Sequence, residues 1–185
     1  MKVFAILMTS LFMTLNLQAA TKAGIDMPDS KTVAGKTLFL NGQGIRKATW
    51  LGIKVYVGGL YLEEKMTDHK PFLENDKMVK QVVMHFVRDV DGEKLIGAWN
   101  DGFKNSGNDK SELKDRLKTF NSYMGDIKKD QQIVITFTPD QTEVSFNGQS
   151  KTAIKGADFG KALLSVWFVG QADKGLTQGM LGLEK

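Results

Sequence analysis

Apolar positions along the chain follow two periods, one that suits strands and one that suits helices. From Val79 to Val90 both parities are occupied, with Val82, Met84 and Phe86 on one face and Val83, His85 and Val87 on the other. A strand of that kind is covered on both sides. Upstream, Lys36 to Leu40 begins the first strand. Asn41 to Glu63 then reads as two strands folded back on each other, the second of which, Ile53 to Leu62, is rich in β-branched and aromatic residues. Thr21 to Gly35 has few large apolar residues and predicts no element. Lys65 to Lys77 reads as a connection with a helical turn near Pro71. After the Val79 strand the period lengthens. Leu95, Trp99 and Phe103 recur every four residues, with Asp91 placed as N-cap and Gly107 as terminator. Ser111 to Met124 repeats the pattern with Leu113, Leu117, Phe120 and Met124, and Ser111 as its cap. Alternation returns at Ile133, Ile135 and Phe137, turns at Pro139-Asp140, comes back through Val144 and Phe146, and turns again at Asn147-Gly148. Asp158 caps a helix striped by Phe159, Leu163, Val166 and Trp167. Gly170 ends that helix, and Lys174 to Leu183 is a short terminal one. Antiparallel strands with helices grouped between them predict an α+β fold: a curved antiparallel sheet with helices packed on one face.

The fold-back at Asn41–Glu63 sets up the first candidate chemistry. With the turn centred on Leu51, beside Gly52, antiparallel pairing sets Arg46 directly across from Tyr56. Opposed residues project from the same face. A guanidinium and a phenol hydroxyl side by side form an anion-binding pair, one donor charged and planar, the other neutral. A one-residue slip in register would separate them and leave Arg46 in solvent and Tyr56 in the core. Periodicity leaves both readings open.

Composition narrows the function classes. The chain has 185 residues, 42% hydrophobic and 25% charged, which suits one domain with a sizeable core. Met1 to Ala20 has the form of a signal peptide, with Lys2 at its start, an apolar run from Val3 to Leu17 broken by Thr9, Ser10, Thr14 and Asn16, and Ala19-Ala20 for cleavage. The run is short of the ~20 apolar residues a spanning helix needs. The expected mature domain is therefore residues 21–185, periplasmic or secreted from a bacterium. The absence of cysteine excludes disulfides, thiol nucleophiles and a lipidated cysteine anchor. The formal charge of +4 falls to +3 without Lys2, and lysines interleave with acids, so no nucleic-acid footprint is present.

Candidate reactive groups are sparse. His69 and His85 are isolated and lack cysteine company, so no metal centre is expected. No Gly-x-Ser-x-Gly elbow accompanies them, which excludes a serine triad of that type. Gly42-Gln43-Gly44 lacks the third glycine and the following helix of a nucleotide loop, and reads as a turn or bulge. No cofactor is implied. Trp50, Trp99, Trp167, Phe103 and Phe168 suit a core or the wall of an apolar cleft.

Gly42-Gln43-Gly44-Ile45-Arg46, then Gly59-Leu60-Tyr61-Leu62-Glu63, then Phe86-Val87-Arg88-Asp89-Val90 before Glu93-Lys94-Leu95, resemble the chalcone isomerase family in order and spacing. Phe159 to Trp167, Gly170 and Leu181-Gly182 extend the resemblance to the C-terminus. It implies an open-faced β-sandwich with a ligand cleft between sheet and helices. In the enzyme branch an arginine steadies a phenolate, and Arg46 matches it. A threonine on the next strand matches Tyr56. A tyrosine and an asparagine fall near Asp91 and Ala98, and a last threonine near Lys174 or Gly175. Only the arginine survives, so the polarising network looks dismantled. Arginine followed by tyrosine resembles instead the fatty-acid-binding branch, where such a pair holds a carboxylate at the bottom of an apolar cleft.

The resemblance thus implies a non-catalytic binder of a fatty acid or similar amphipathic anion. Arg46 and Tyr56 would hold the head, and Trp99, Phe103 and Trp167 would wall the tail. The alternatives are an isomerase or intramolecular lyase using Arg46 and Tyr56, and a partner-binding module with a filled core. Oligomeric state is left open.

Overall fold

The computed structural model describes residues 20–49, 51–170 and 173–184. Residues 1–19, which make up most of the expected signal peptide, and Trp50 lie outside the described residues. Where no element was expected, three short strands form: β1 (Ala20–Lys22), β2 (Ile25–Met27) and β3 (Ser30–Val33). Turns at Ala23-Gly24 and Ala34-Gly35, all with positive φ, separate β1 from β2 and β3 from the next strand. Pairing rather than apolar content makes these strands, which is why hydrophobic periodicity passes over them.

The next two strands are the fold-back. β4 (Lys36–Ala48) joins the Lys36 strand to the first arm without a break, and β5 (Ile53–Leu62) is the second arm. α1 (His69–Glu74) is the helical turn at Pro71. β6 (Lys80–Phe86) is buried along nearly its whole length. It stops earlier than expected, and Val90 keeps only a bridge to Ile127. α2 (Gly92–Asn105) and α3 (Ser111–Asn121) follow, then β7 (Gln132–Phe137), β8 (Gln141–Phe146), β9 (Gln149–Ser150) and β10 (Ile154–Lys155). α4 (Ala157–Ser165) and α5 (Lys174–Met180) close the chain.

Eight strands make one antiparallel sheet in the order β10-β8-β7-β6-β5-β4-β3, with β9 on β8, while β1 and β2 pair separately. The larger core lies on the helix face. A smaller one, built on Met27, Leu38, Leu40, Val57, Tyr61, Val79 and Val83, covers part of the other face. The α+β expectation therefore holds, with β6 covered on both sides.

Three expected caps are replaced. The Asp91 side chain pairs with Lys94 at 2.6 Å, and Asp126 accepts the Gly92 amide at 2.9 Å instead. Ser111 is the first helical residue, after Lys110. Asp158 sits inside the first turn of α4, held by Arg116. In each case a carboxylate with a charged partner, or a helix starting one residue early, overrides the local capping preference.

The feature that positions the site is the contact of α5 with β4. A Cβ on Gly44 would run into the carbonyl of Leu176, and one on Gly179 would run into that of Gln43. The helix backbone thus lies directly on the strand backbone, which only glycine on both sides permits. Asn41, bulged out of the β4–β5 register, completes the joint. Its amide nitrogen donates to Met180 O (2.8 Å) and Met66 O (2.9 Å), and its Oδ1 accepts from Met66 N (2.6 Å). Gly44→Ala is expected to cost about 3 kcal/mol in chemical denaturation, because the obstruction is backbone and cannot rotate away. A change below ~0.5 kcal/mol would show that α5 is not seated in this way.

Candidate functional site

The register pairs Arg46 with Tyr56, Gly44 with Gly58 and Gly42 with Leu60. These residues face the helix layer. α5, seated on the glycines, brings its cap residue Asp173 over the strand. Asp173 Oδ1 accepts from the Leu176 amide at 2.9 Å. Its Oδ2 accepts from Arg46 Nη1 at 2.8 Å and from the Lys47 amide at 3.3 Å. Burial opposes the charge on Asp173, but the Leu176 amide, the Arg46 guanidinium and the Lys47 amide together hold its carboxyl below the usual range. Arg46 Nη1 also donates to Lys47 O at 2.5 Å. Its Nε and Nη2 make no hydrogen bond among the described residues.

Tyr56 is buried, and its hydroxyl oxygen accepts from Trp167 Nε1 at 3.1 Å. Indole is a donor only, so the phenol keeps its own proton to donate. Burial pushes the hydroxyl up to about 12, against the opposing pull of the Trp167 hydrogen bond and the Arg46 charge. The group is a neutral donor at physiological pH. Thr177 Oγ1 donates to Trp167 O at 2.6 Å and so ties the indole to α5.

Beside this pair opens a cleft of about 780 Å³ between the sheet and α2. Val55, Met84, Phe86, Leu95, Trp99, Val166, Trp167 and Leu176 supply its apolar surface. Arg46 and Tyr56 border it, and Arg88, Asp89, Asp91, Lys94 and Asp101 form a charged rim. Trp99 packs edge-on against both Trp167 (5.3 Å) and Phe120 (5.0 Å). An open cleft here goes against a filled interior.

Four of the five residues expected to line a ligand site, Arg46, Tyr56, Trp99 and Trp167, border this one cleft. Phe103 does not. It lies one turn beyond Trp99, 1% exposed, with its ring 5.9 Å from that of Phe159, inside the core behind the wall. The helical stripe marks a buried face but does not say where along it the core gives way to a cleft. The residue missed was Asp173. Its signal was a carboxylate immediately before the Lys174 helix, where an N-cap belongs.

A family model described as chalcone isomerase-like matches residues 19–182. The chain belongs to the chalcone isomerase-like family. Among solved structures, a fatty-acid binding protein of Arabidopsis thaliana is similar, with a TM-score of 0.66 and 17% identity over 89% of this chain and 96% of that one. At that identity the likeness is one of fold. No curated protein sequence matches.

Asp91, Ala98, Lys174 and Gly175 stand near the positions where the resemblance to the enzyme branch implies polar partners. Asp91 and Ala98 both border the cleft, the first committed to Lys94 and the second without a polar group. Lys174 is exposed on α5, and Gly175 has no side chain.

The Asp173 cluster has a consequence for acid stability. Its folded pKa lies below the unfolded value of about 3.9, so the unfolded chain takes up the proton first as pH falls. The stability Asp173 contributes is full above that value and is lost as pH drops through its lower folded pKa. Wild type should therefore exceed Asp173→Asn in stability near neutrality, with the difference shrinking below about pH 4. Denaturation midpoints of both proteins across that range test this, and a difference independent of pH would refute it.

Proposed function

We propose that this cleft binds a fatty acid or a similar amphipathic anion without catalysis. The observation that carries the reading is the Arg46–Tyr56 pair, set by strand register at the border of an apolar cleft of about 780 Å³. That volume lies within the range of pockets that bury small amphiphiles. Arg46 Nε and Nη2, without hydrogen bonds among the described residues, and the hydroxyl proton of Tyr56 offer hydrogen bonds to a carboxylate, and Trp99, Trp167 and Leu95 offer a tail surface. The fold likeness to a protein whose name states fatty-acid binding supports the same class of ligand.

Titration with the fluorescent fatty acid cis-parinaric acid tests the reading. Arg46→Ala should weaken binding tenfold or more, as a lost charged hydrogen bond implies. Tyr56→Phe should weaken it less and also destabilise the fold by about 1–3 kcal/mol, since Trp167 Nε1 is left unpaired. Equal affinity of wild type and a folded Arg46→Ala would sink the proposal. Native mass spectrometry of protein recovered from the periplasm without detergent reads ligand and address together: an added ligand mass, on a chain lacking Met1–Ala20.

A second reading rests on the protonated Tyr56, which could donate to a substrate carbonyl while Arg46 steadies an oxyanion. Ring closure of a hydroxychalcone, corrected for the spontaneous rate, separates the two. The binder predicts no acceleration, whereas closure abolished by Arg46→Ala would establish the isomerase.

A further inference from the structure

We propose that the tip of the β4–β5 hairpin is a docking surface for a bilayer carrying anionic lipid. At the tip, the turn closes with Gly52 N donating to Thr49 O at 3.2 Å, and leaves Leu51 63% and Ile53 36% exposed. Just below, Lys47 and Lys54 face each other directly across the ladder. Neither side chain has an ion-pair partner among the described residues. Like charges directly opposed destabilise a sheet, and exposed branched apolar residues at a turn gain nothing from the fold. Against a negatively charged bilayer both features become favourable. Lysine stems lie along the apolar tip while their ammonium groups reach the headgroups, and leucine and isoleucine enter the acyl boundary.

The charge on the rest of the cleft rim fits that orientation. Asp89 and Asp91, across the mouth, are neutralised by Lys128 and Lys94. Asp101 alone among the acids bordering the cleft lacks an ion pair among the described residues. Arg88 on the same rim also has no ion pair among the described residues, so the positive charge of Lys47 and Lys54 at the hairpin is not opposed by a row of unpaired acids across the mouth. Ile53 is both exposed and part of the cleft border, so the apolar tip adjoins the cleft. An amphiphile leaving the bilayer would enter tail or head first along this wall. That delivery role rests on the cleft reading above, while the docking itself does not.

Co-sedimentation with vesicles decides it. Vesicles of phosphatidylcholine alone are compared with vesicles holding an equal share of phosphatidylglycerol. Wild type should bind only the anionic vesicles, and less as salt rises. Each lysine near an anionic surface contributes roughly fivefold, so Lys47→Gln with Lys54→Gln should weaken binding by tenfold or more. Leu51→Ser should weaken it several-fold. Leu51→Ser should keep the wild-type melting temperature, and the double lysine variant should match or exceed it because like charges no longer face each other. Leu51→Ser and Lys54→Gln alone should keep the wild-type cis-parinaric acid titration in vesicle-free buffer, because neither side chain borders the cleft. Failure of wild type to bind, equal binding to both vesicle types, or undiminished binding of the tip variants would each overturn the docking surface. Vesicle binding by a wild type that takes up no cis-parinaric acid would support the docking surface and overturn the cleft reading instead.

Discussion

The site depends on one contact between main chains. α5 can rest on β4 because glycine stands at positions 42 and 44 of the strand and 179 of the helix. Without Cβ atoms in the way, the helix backbone drops to the level of the strand backbone, and its first residues arrive beside Arg46. Asp173, Leu176 and, through Thr177, the indole of Trp167 are all placed by that descent. A helix held off by even one methyl would separate Asp173 from Arg46 and Trp167 from Tyr56. The Gly-x-Gly segment therefore serves packing at the far side of the strand from any phosphate chemistry, and its bulge at Asn41 adds three hydrogen bonds to the same joint.

Much of this was legible in the residues. The alternating and four-residue periods located β4 to β8 and helices α2, α3 and α4, because tertiary burial wrote them as apolar spacing. The short β1, β2 and β3 were not legible, since they are held by turns and edge pairing with little apolar content. The Arg46–Tyr56 pair was reached through two departures that cancel. The loop is centred half a residue before Leu51, with Ala48 opposite Ile53, and a bulge at Val55 between Lys54 and Tyr56 restores the offset. A bulge of this kind has no reliable local signature, yet without it Arg46 would face Val55 and the pair would be lost. Asp173 was hidden for a different reason. Its role comes from a contact across 127 residues of chain, and only its capping position was local.

Phe103 shows where periodicity stops being informative. Leu95, Trp99 and Phe103 are equivalent on a helical wheel, and all three are buried. The first two border the cleft, while the third meets Phe159 beneath α4. The difference is set by what lies opposite each turn of α2. Near Leu95 and Trp99 the cleft opens, and near Phe103 the Phe159 ring of α4 fills the space. Close packing there is enforced at Gly102, where a Cβ would strike the Val166 side chain.

The balance between binding and catalysis turns on the charge around Arg46. An oxyanion hole works by presenting preorganised, uncompensated donors to charge that develops in the transition state. Here a carboxylate already sits 2.8 Å from the guanidinium, and its ionised form is favoured by two main-chain amides. A developing oxyanion would share Arg46 with a full negative charge, so much of the differential stabilisation is cancelled before the reaction begins. A ligand that is anionic in its ground state meets a different requirement. It needs only the donors Asp173 leaves free, together with the Tyr56 hydroxyl and apolar contact for the remainder of the molecule. For the proposed binder, a partly neutralised arginine implies moderate, reversible affinity, which is the property a carrier needs.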